Sequence, residues 1–168
     1  MPMIIRAEHP GDRPEINALL EAAFPQPVEA KLVRELYASR EYLPKLSLVA
    51  ESDRGEILGY VITTRAWIGA GKSLGLGPIA VDPGYQRQGI GLALMKATIA
   101  EATAMGESTI VLLGSTEYYP RFGFVPADSL GIASPDPSWG SHFMALPLSD
   151  FAADQHGHFK YADPFNHL

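Results

Sequence analysis

Residues 77–92 read Gly77-Pro78-Ile79-Ala80-Val81-Asp82-Pro83-Gly84-Tyr85-Gln86-Arg87-Gln88-Gly89-Ile90-Gly91-Leu92. An apolar strand ends at Val81, Asp82-Pro83-Gly84 breaks it, and a glycine-containing loop opens a long helix. From Gly89 to Met105 the pattern is helical, with Ile90, Ala93, Leu94, Ala97 and Ala104 on one side. The first N–H groups of a helix have no partner inside it, and the helix dipole is positive at that end. The junction therefore suits an anion, and a phosphate best of all. Gly89 and Gly91 carry no Cβ to hold phosphate oxygens away from the backbone. Arg87 adds a cation and Gln88 a side-chain amide donor.

Three phosphate-loop patterns compete for this stretch. A Walker loop needs Gly-Lys-Ser/Thr, which is absent. A dinucleotide fingerprint needs Gly or Ala where Leu94 stands. The pattern Q/R-x-x-G-x-G/A is met in full by Gln86, Gly89 and Gly91. In that form the segment resembles motif A of the GNAT superfamily of N-acetyltransferases, which binds the pyrophosphate of acetyl-CoA. A second segment, Gly114-Ser115-Thr116-Glu117-Tyr118-Tyr119-Pro120-Arg121-Phe122-Gly123-Phe124, resembles GNAT motif B, with Tyr119, Gly123 and Phe124 matching Y-x-x-x-G-F. Ser47-Leu48-Val49-Ala50, Leu76 to Gly91 and Leu113 to Phe124 are together similar to a bacterial branch of predicted GNAT acetyltransferases. The resemblance covers about Ser47 to Phe124; the N-terminal helices and the tail from Pro126 agree only in order.

The rest of the chain suits such a domain. Its 168 residues, 46% hydrophobic and 19% charged, make one compact domain, 1–168, with a buried core. Thirteen basic against nineteen acidic side chains leave a net charge of −6, which argues against broad nucleic-acid binding but permits a local basic pocket. With no Cys, disulfides, thiolate catalysis and zinc-thiolate sites are excluded. No apolar run approaches the roughly 20 residues of a membrane span, and Met1 to Arg6 does not begin a signal peptide. A soluble cytoplasmic enzyme is the class these features favour. Strands are expected at Met3–Ala7, Leu46–Glu51, Ile57–Trp67, Ser73–Val81 and Thr109–Leu113, then from Phe124 and at Phe143–Leu146. Asp12 with Glu15 predicts a capping box for a first helix that buries Ile16, Leu19, Leu20 and Ala23. A second helix is expected at Val28–Ser39, and a short turn of helix at Glu117–Phe122. The order gives an α/β domain with a mixed sheet.

The resemblance implies the GNAT (acyl-CoA N-acyltransferase) fold: a mixed, mostly antiparallel sheet flanked by helices and splayed between the strands before motifs A and B. It implies that pantetheine lies in the splay and pairs with the backbone of Ile79, Ala80 and Val81. Gln86 and the amides of Arg87, Gln88, Gly89, Ile90, Gly91 and Leu92 would hold the pyrophosphate. Ser115, Tyr118 and Phe122 would border the thiol end. A primary amine of a small molecule or peptide would attack acetyl-CoA directly in a ternary complex, with no metal. The alternative is a non-catalytic acyl-CoA-binding sensor or regulatory module.

Tyr119 is the candidate acid for the departing thiolate, with Tyr118 in reserve; the competing reading is a packed aromatic. Leu74, Gly75, Leu76 and Gly77 offer none of the strand carboxylates that some relatives use as base. Water, a backbone carbonyl or Glu51 are left for that role. Many relatives carry Asn after the motif B strand; here Gly114 and Ser115 stand there, so either Ser115 takes over the contact or the contact is lost. His156-Gly157-His158 has a loose metal look but reads as polar tail. Trp67, Trp139 and Phe143 are candidates for an acceptor pocket or for core, and the loop Asp136-Pro137-Ser138-Trp139 for a cover over it. Glu21, Glu29, Glu35 and Glu41 would draw a cationic amine or simply face solvent. Monomer and homodimer are both compatible with the sequence.

Overall fold

The computed structural model describes residues 2–152 and 155–168. Three helices, α1 (Arg13–Ala23), α2 (Val28–Tyr37) and α3 (Ile90–Ala104), flank strands β1 (Met3–Ala7), β2 (Ser47–Ser52), β3 (Ile57–Ile68), β4 (Gly71–Val81), β5 (Thr109–Leu113), β6 (Val125–Pro126), β7 (Ile132–Ala133), β8 (Phe143–Pro147) and β9 (Gly157–Lys160). The sheet runs β1-β2-β3-β4-β5-β8-β6, with β9 added to the far end of β3 and β7 to β9. Among the described residues only β4–β5 and β7–β9 pair in parallel.

Side chains alternate across the sheet with the period of two that a pleated strand imposes. Leu48, Ala50, Leu58, Val61, Leu74 and Leu76 pack against Ile90, Leu94 and Met95 of α3. Their neighbours Val49, Tyr60, Ile62 and Ala80 pack instead with Ile16, Leu20, Val33 and Leu36 of α1 and α2. Helix α3 lies close to the sheet because Gly59 gives it room. A Cβ there would stand 2.7 Å from Ile90 Cγ2 and 3.0 Å from Leu94 Cδ1.

Two expectations are corrected. The Asp12–Glu15 capping box does not form. Asp12 has helical backbone angles, and its carboxylate accepts from Arg6 at 2.8 and 3.1 Å and from His9 N at 2.7 Å. Glu15 accepts from Ile57 N at 2.8 Å, tying α1 to the start of β3. The tail is not merely polar: β9 pairs Phe159 with Ile68 and Lys160 with Trp67. Beyond Ile62, where β2 ends, the edge of β3 is free to accept β9, and Phe159 is buried with its ring 5.4 Å from that of Phe143.

The feature that positions the site lies between β4 and β5. Their parallel pairing is confined to Leu74 with Ile110 and Gly75 with Val111. Beyond that point β5 stays with β8, Leu112 opposite Met144 and Leu113 opposite Phe143. β4 stays with β3, Ile79 opposite Val61 and Val81 opposite Gly59. The β3–β4 register shifts between Val61 and Thr63, where Gly77 has a φ of 137° and Pro78 has no N–H to donate. The sheet therefore opens into a V at Gly75.

One ion pair ties the crossover to the sheet. Arg65 of β3 donates to both Glu107 oxygens at 2.7 Å and to Ser73 O at 3.0 Å, and Glu107 sits just before β5. Both side chains are largely buried. Glu107→Ala leaves the guanidinium without its bidentate partner. It is expected to lower stability by about 2 kcal/mol, a drop in Tm of about 4–8 °C in thermal unfolding.

Candidate active site

The loop from β4 to α3 is shaped by its own hydrogen bonds. Asp82 accepts from Gly84 N at 2.8 Å, and Tyr85 N donates to Asp82 O at 2.8 Å. Arg87 (φ 64°) and Gly89 (φ 82°) are both left-handed, a backbone that costs Arg but not Gly. Helix α3 has no side chain capping its N-terminus, and its first internal bond runs from Ala93 N to Gly89 O at 3.0 Å. The amides of Ile90, Gly91 and Leu92 are thus left for an outside acceptor.

These amides border a groove of about 520 Å³. Its floor is Ile79 and Val81, one bank is Gln86, Arg87 and Gly89 to Leu92, and the other is Tyr118, Tyr119 and Arg121. A Cβ on Gly91 would meet only Val81 Cγ2 at 3.8 Å and Tyr118 Oη at 3.9 Å, so Gly91 faces the open groove. Arg87 and Arg121 make it locally basic in a chain of net charge −6. Arg121 was not among the expected site residues. It stands inside the motif B segment, but its side chain is placed only by the turn: Nε donates to Tyr118 O at 2.8 Å, and the guanidinium lies 4.2 Å from the Tyr118 ring centre.

Tyr119 lies half-buried beside the end of β5. Burial pushes its phenol above the ordinary value, and neighbouring Tyr118 adds to the shift. Gly114 makes this placement possible, because a Cβ there would collide with Cε2 of the Tyr119 ring. The space a side chain at position 114 would occupy is filled by the tyrosine ring. The Tyr118 ring stands edge-on to Tyr119 at 5.1 Å, with its hydroxyl beside Gly91. The Tyr118 hydroxyl therefore lies toward the helix N-terminus.

Other expected residues fall outside the groove lining. Ser115 Oγ accepts from Glu117 N and Tyr118 N, both at 3.2 Å, and so caps the turn that carries the tyrosines. Phe122 packs its ring 5.6 Å from Tyr118 and supports it. Ala80 directs its side chain to the α1–α2 core, while its neighbours Ile79 and Val81 line the groove. Gln88 is exposed in the loop. Glu51 is corrected as a candidate base: it accepts from Arg6 at 2.8 and 3.3 Å on β2, two strands from β4.

A second cavity, about 550 Å³, meets the V from the α2 side. Leu76, Gly77 and Pro78 of β4 and Leu113 of β5 line it past the last paired residues. Trp139 and Asp136 also line it; Phe143 is core, and Trp67 lies elsewhere on β3. The ring of Tyr161 packs directly on β4: a Cβ at Gly75 would lie 2.8 Å from its Cδ1. His156 and His158 are exposed, and among the described residues no three potential ligands converge on a metal position. A further groove of about 800 Å³ between α1 and α2 is lined by neither β4 nor β5.

A family model described as Acetyltransferase (GNAT) family matches residues 13–124. The chain belongs to the GNAT family. Escherichia coli K12 YhbS, described as an uncharacterized N-acetyltransferase, is 34% identical over 168 residues, covering 98% of this chain and 99% of its own. The crystal structure of E. coli YhbS in complex with CoA has a TM-score of 0.90 at 32% identity, over 98% of this chain and 92% of that one. A GNAT family acetyltransferase from Brucella melitensis in complex with acetyl-CoA has a TM-score of 0.80 at 33% identity, over 98% of both chains. The α/β architecture with its open V is thus the GNAT fold, and no helix among the described residues is long and apolar enough to cross a membrane.

Within this acetyltransferase the Gly114–Tyr119 contact is testable as a pair. Gly114→Ala is expected to cost about 1–3 kcal/mol in denaturant unfolding, because a rigid ring must move. The same substitution in a Tyr119→Ala background is expected to cost little, giving a clear coupling energy in the double-mutant cycle.

Proposed function

We propose that the chain transfers the acetyl group of acetyl-CoA to a primary amine of a small molecule or peptide, by direct attack within a ternary complex. The observation that carries this reading is one continuous groove. It joins three unpartnered helix amides, the unpaired edge of β4 and the Tyr119 ring. CoA-bound relatives at 32–33% identity support acetyl-CoA as the donor.

In this reading the amides of Ile90, Gly91 and Leu92 take the pyrophosphate, with Arg87 and Arg121 adding charge. Pantetheine runs along Ile79 to Val81 as an added strand, satisfying backbone groups that β5 leaves unpaired. The thioester then reaches the apex of the V. The amine nitrogen attacks the carbonyl carbon, the C–N bond forms, the C–S bond breaks and the electron pair leaves on sulfur. The amine gives up a proton to water, and the sulfur takes one to leave as thiol.

Tyr119 donates a hydrogen bond to the leaving sulfur. Burial keeps its phenol protonated through neutral pH, and a thiol of pKa near ~8.5 is a stronger acid than this tyrosine. Its contribution is therefore stabilisation of the thiolate, with the final proton drawn from solvent.

Release of CoA thiol from acetyl-CoA with pools of amines, polyamines, amino acids and lysine peptides tests the reading, and the Cys-free protein adds no thiol background. Tyr119→Phe is expected to lower kcat by about 10²-fold with the KM for acetyl-CoA nearly unchanged. Gly91→Leu is expected to keep or raise Tm, since Leu favours helix, while CoA affinity in calorimetric titration falls by about tenfold or more. Tight CoA binding without thiol release from any pool would return the chain to the non-catalytic acyl-CoA-binding module.

A further inference from the structure

The cavity on the α2 side of the V carries its own chemistry. Of the two acidic side chains that line it, Asp136 is already committed, accepting from Ser138 N at 2.9 Å and Ser138 Oγ at 2.7 Å. Glu29, in the first turn of α2, is not. Its Oε1 is buried without a hydrogen-bond partner among the described residues, and the residue lines the cavity. The remaining glutamates that the sequence groups with it are engaged elsewhere: Glu21 with Asn17, Glu35 with His167 and Glu41 with Asp163 N. A buried carboxylate oxygen without a donor is costly and calls for one.

The walls around it are flat and apolar. Tyr161 stacks on Phe165 at 4.5 Å and stands edge-on to Phe159 at 4.7 Å, and Trp139 closes the side at 6.5 Å from Tyr161. Such a wall rejects a strongly hydrated acceptor, because its polar groups would lose water without replacement. Lys160 at the same cavity disfavours a second positive charge.

We propose that Glu29 is the specificity-determining residue of this cavity: it takes the ammonium of a monocationic primary amine whose flat apolar body lies along Trp139, Tyr161 and Phe165. This names the acceptor class for the transfer proposed above and rests on that reading for the cavity's role. The selection is by desolvation: Glu29 offers an acceptor to one ammonium, and the aromatic wall matches an aryl or comparably flat apolar group where a further ammonium would lose its water.

The test is calorimetric titration of the CoA-saturated protein, which needs no turnover. Phenethylamine is the probe, with 2-phenylethanol lacking the charge and spermidine lacking the apolar body. Phenethylamine is expected to bind at least about tenfold tighter than either. Glu29→Gln is expected to abolish its advantage over 2-phenylethanol while CoA affinity and Tm stay at the wild-type values. Trp139→Ala is expected to weaken both aryl probes together. Equal phenethylamine affinity in Glu29→Gln and wild type, tighter binding of spermidine, or no phenethylamine binding at all would overturn the proposal. Glu29-dependent binding without thiol release from acetyl-CoA would instead overturn the transfer reading and leave the site standing. Thiol release with other amines, unaffected by Glu29→Gln, would do the reverse.

Discussion

Both cavities that border β4 exist because β4 and β5 part company after two paired residues. A parallel pair stabilises a sheet only while both strands keep pace, and here each has a stronger tie to its other neighbour. β4 follows β3 through a register shift at Gly77-Pro78, and β5 follows β8. The backbone edge exposed by that divergence is a cost in a folded protein unless something pairs with it. A ligand with its own amides, lying along the edge, removes the cost and is held in one register by doing so.

Two glycines make room for rings along the V, one at its apex and one beyond the end of β5. Gly75 on β4 gives space to Tyr161 from one face, and Gly114 after β5 gives space to Tyr119 from the other. Neither glycine has φ in the left-handed range, so their role is room for a ring, not backbone freedom. The two tyrosines come from segments more than forty residues apart in the chain, Tyr119 from the turn after β5 and Tyr161 from the segment after β9. Burial raises the phenol of each, so both present hydroxyls that stay protonated at neutral pH.

The polar groups around the two cavities divide by what they already hold. Ser115 is spent on the turn that carries Tyr118 and Tyr119, Glu51 on Arg6 and Asp136 on Ser138. Glu29 and the first amides of α3 are unspent, and they lie on opposite sides of the same opening. That asymmetry places unpartnered donors on one side of the opening and an unpartnered acceptor on the other.

The phosphate loop was legible because its chemistry is local. A strand end, Gln86, Gly89, Gly91 and a helix start lie within a dozen residues, and helix dipole and glycine freedom act over that same distance. The main strands were legible because alternation repeats over five or more residues. β9 was not, since Phe159 alone among four residues points inward and its place exists only because β2 stops short of the end of β3. Asp12 read as a cap because capping is a local rule, but Arg6 offers it a stronger, charged partner. The sequence by itself determined the family and the fold class. That Glu29 is left without a partner and that Gly75 seats the ring of Tyr161 were decided only by tertiary structure. Both depend on contacts between residues far apart in the chain, and no periodicity records those.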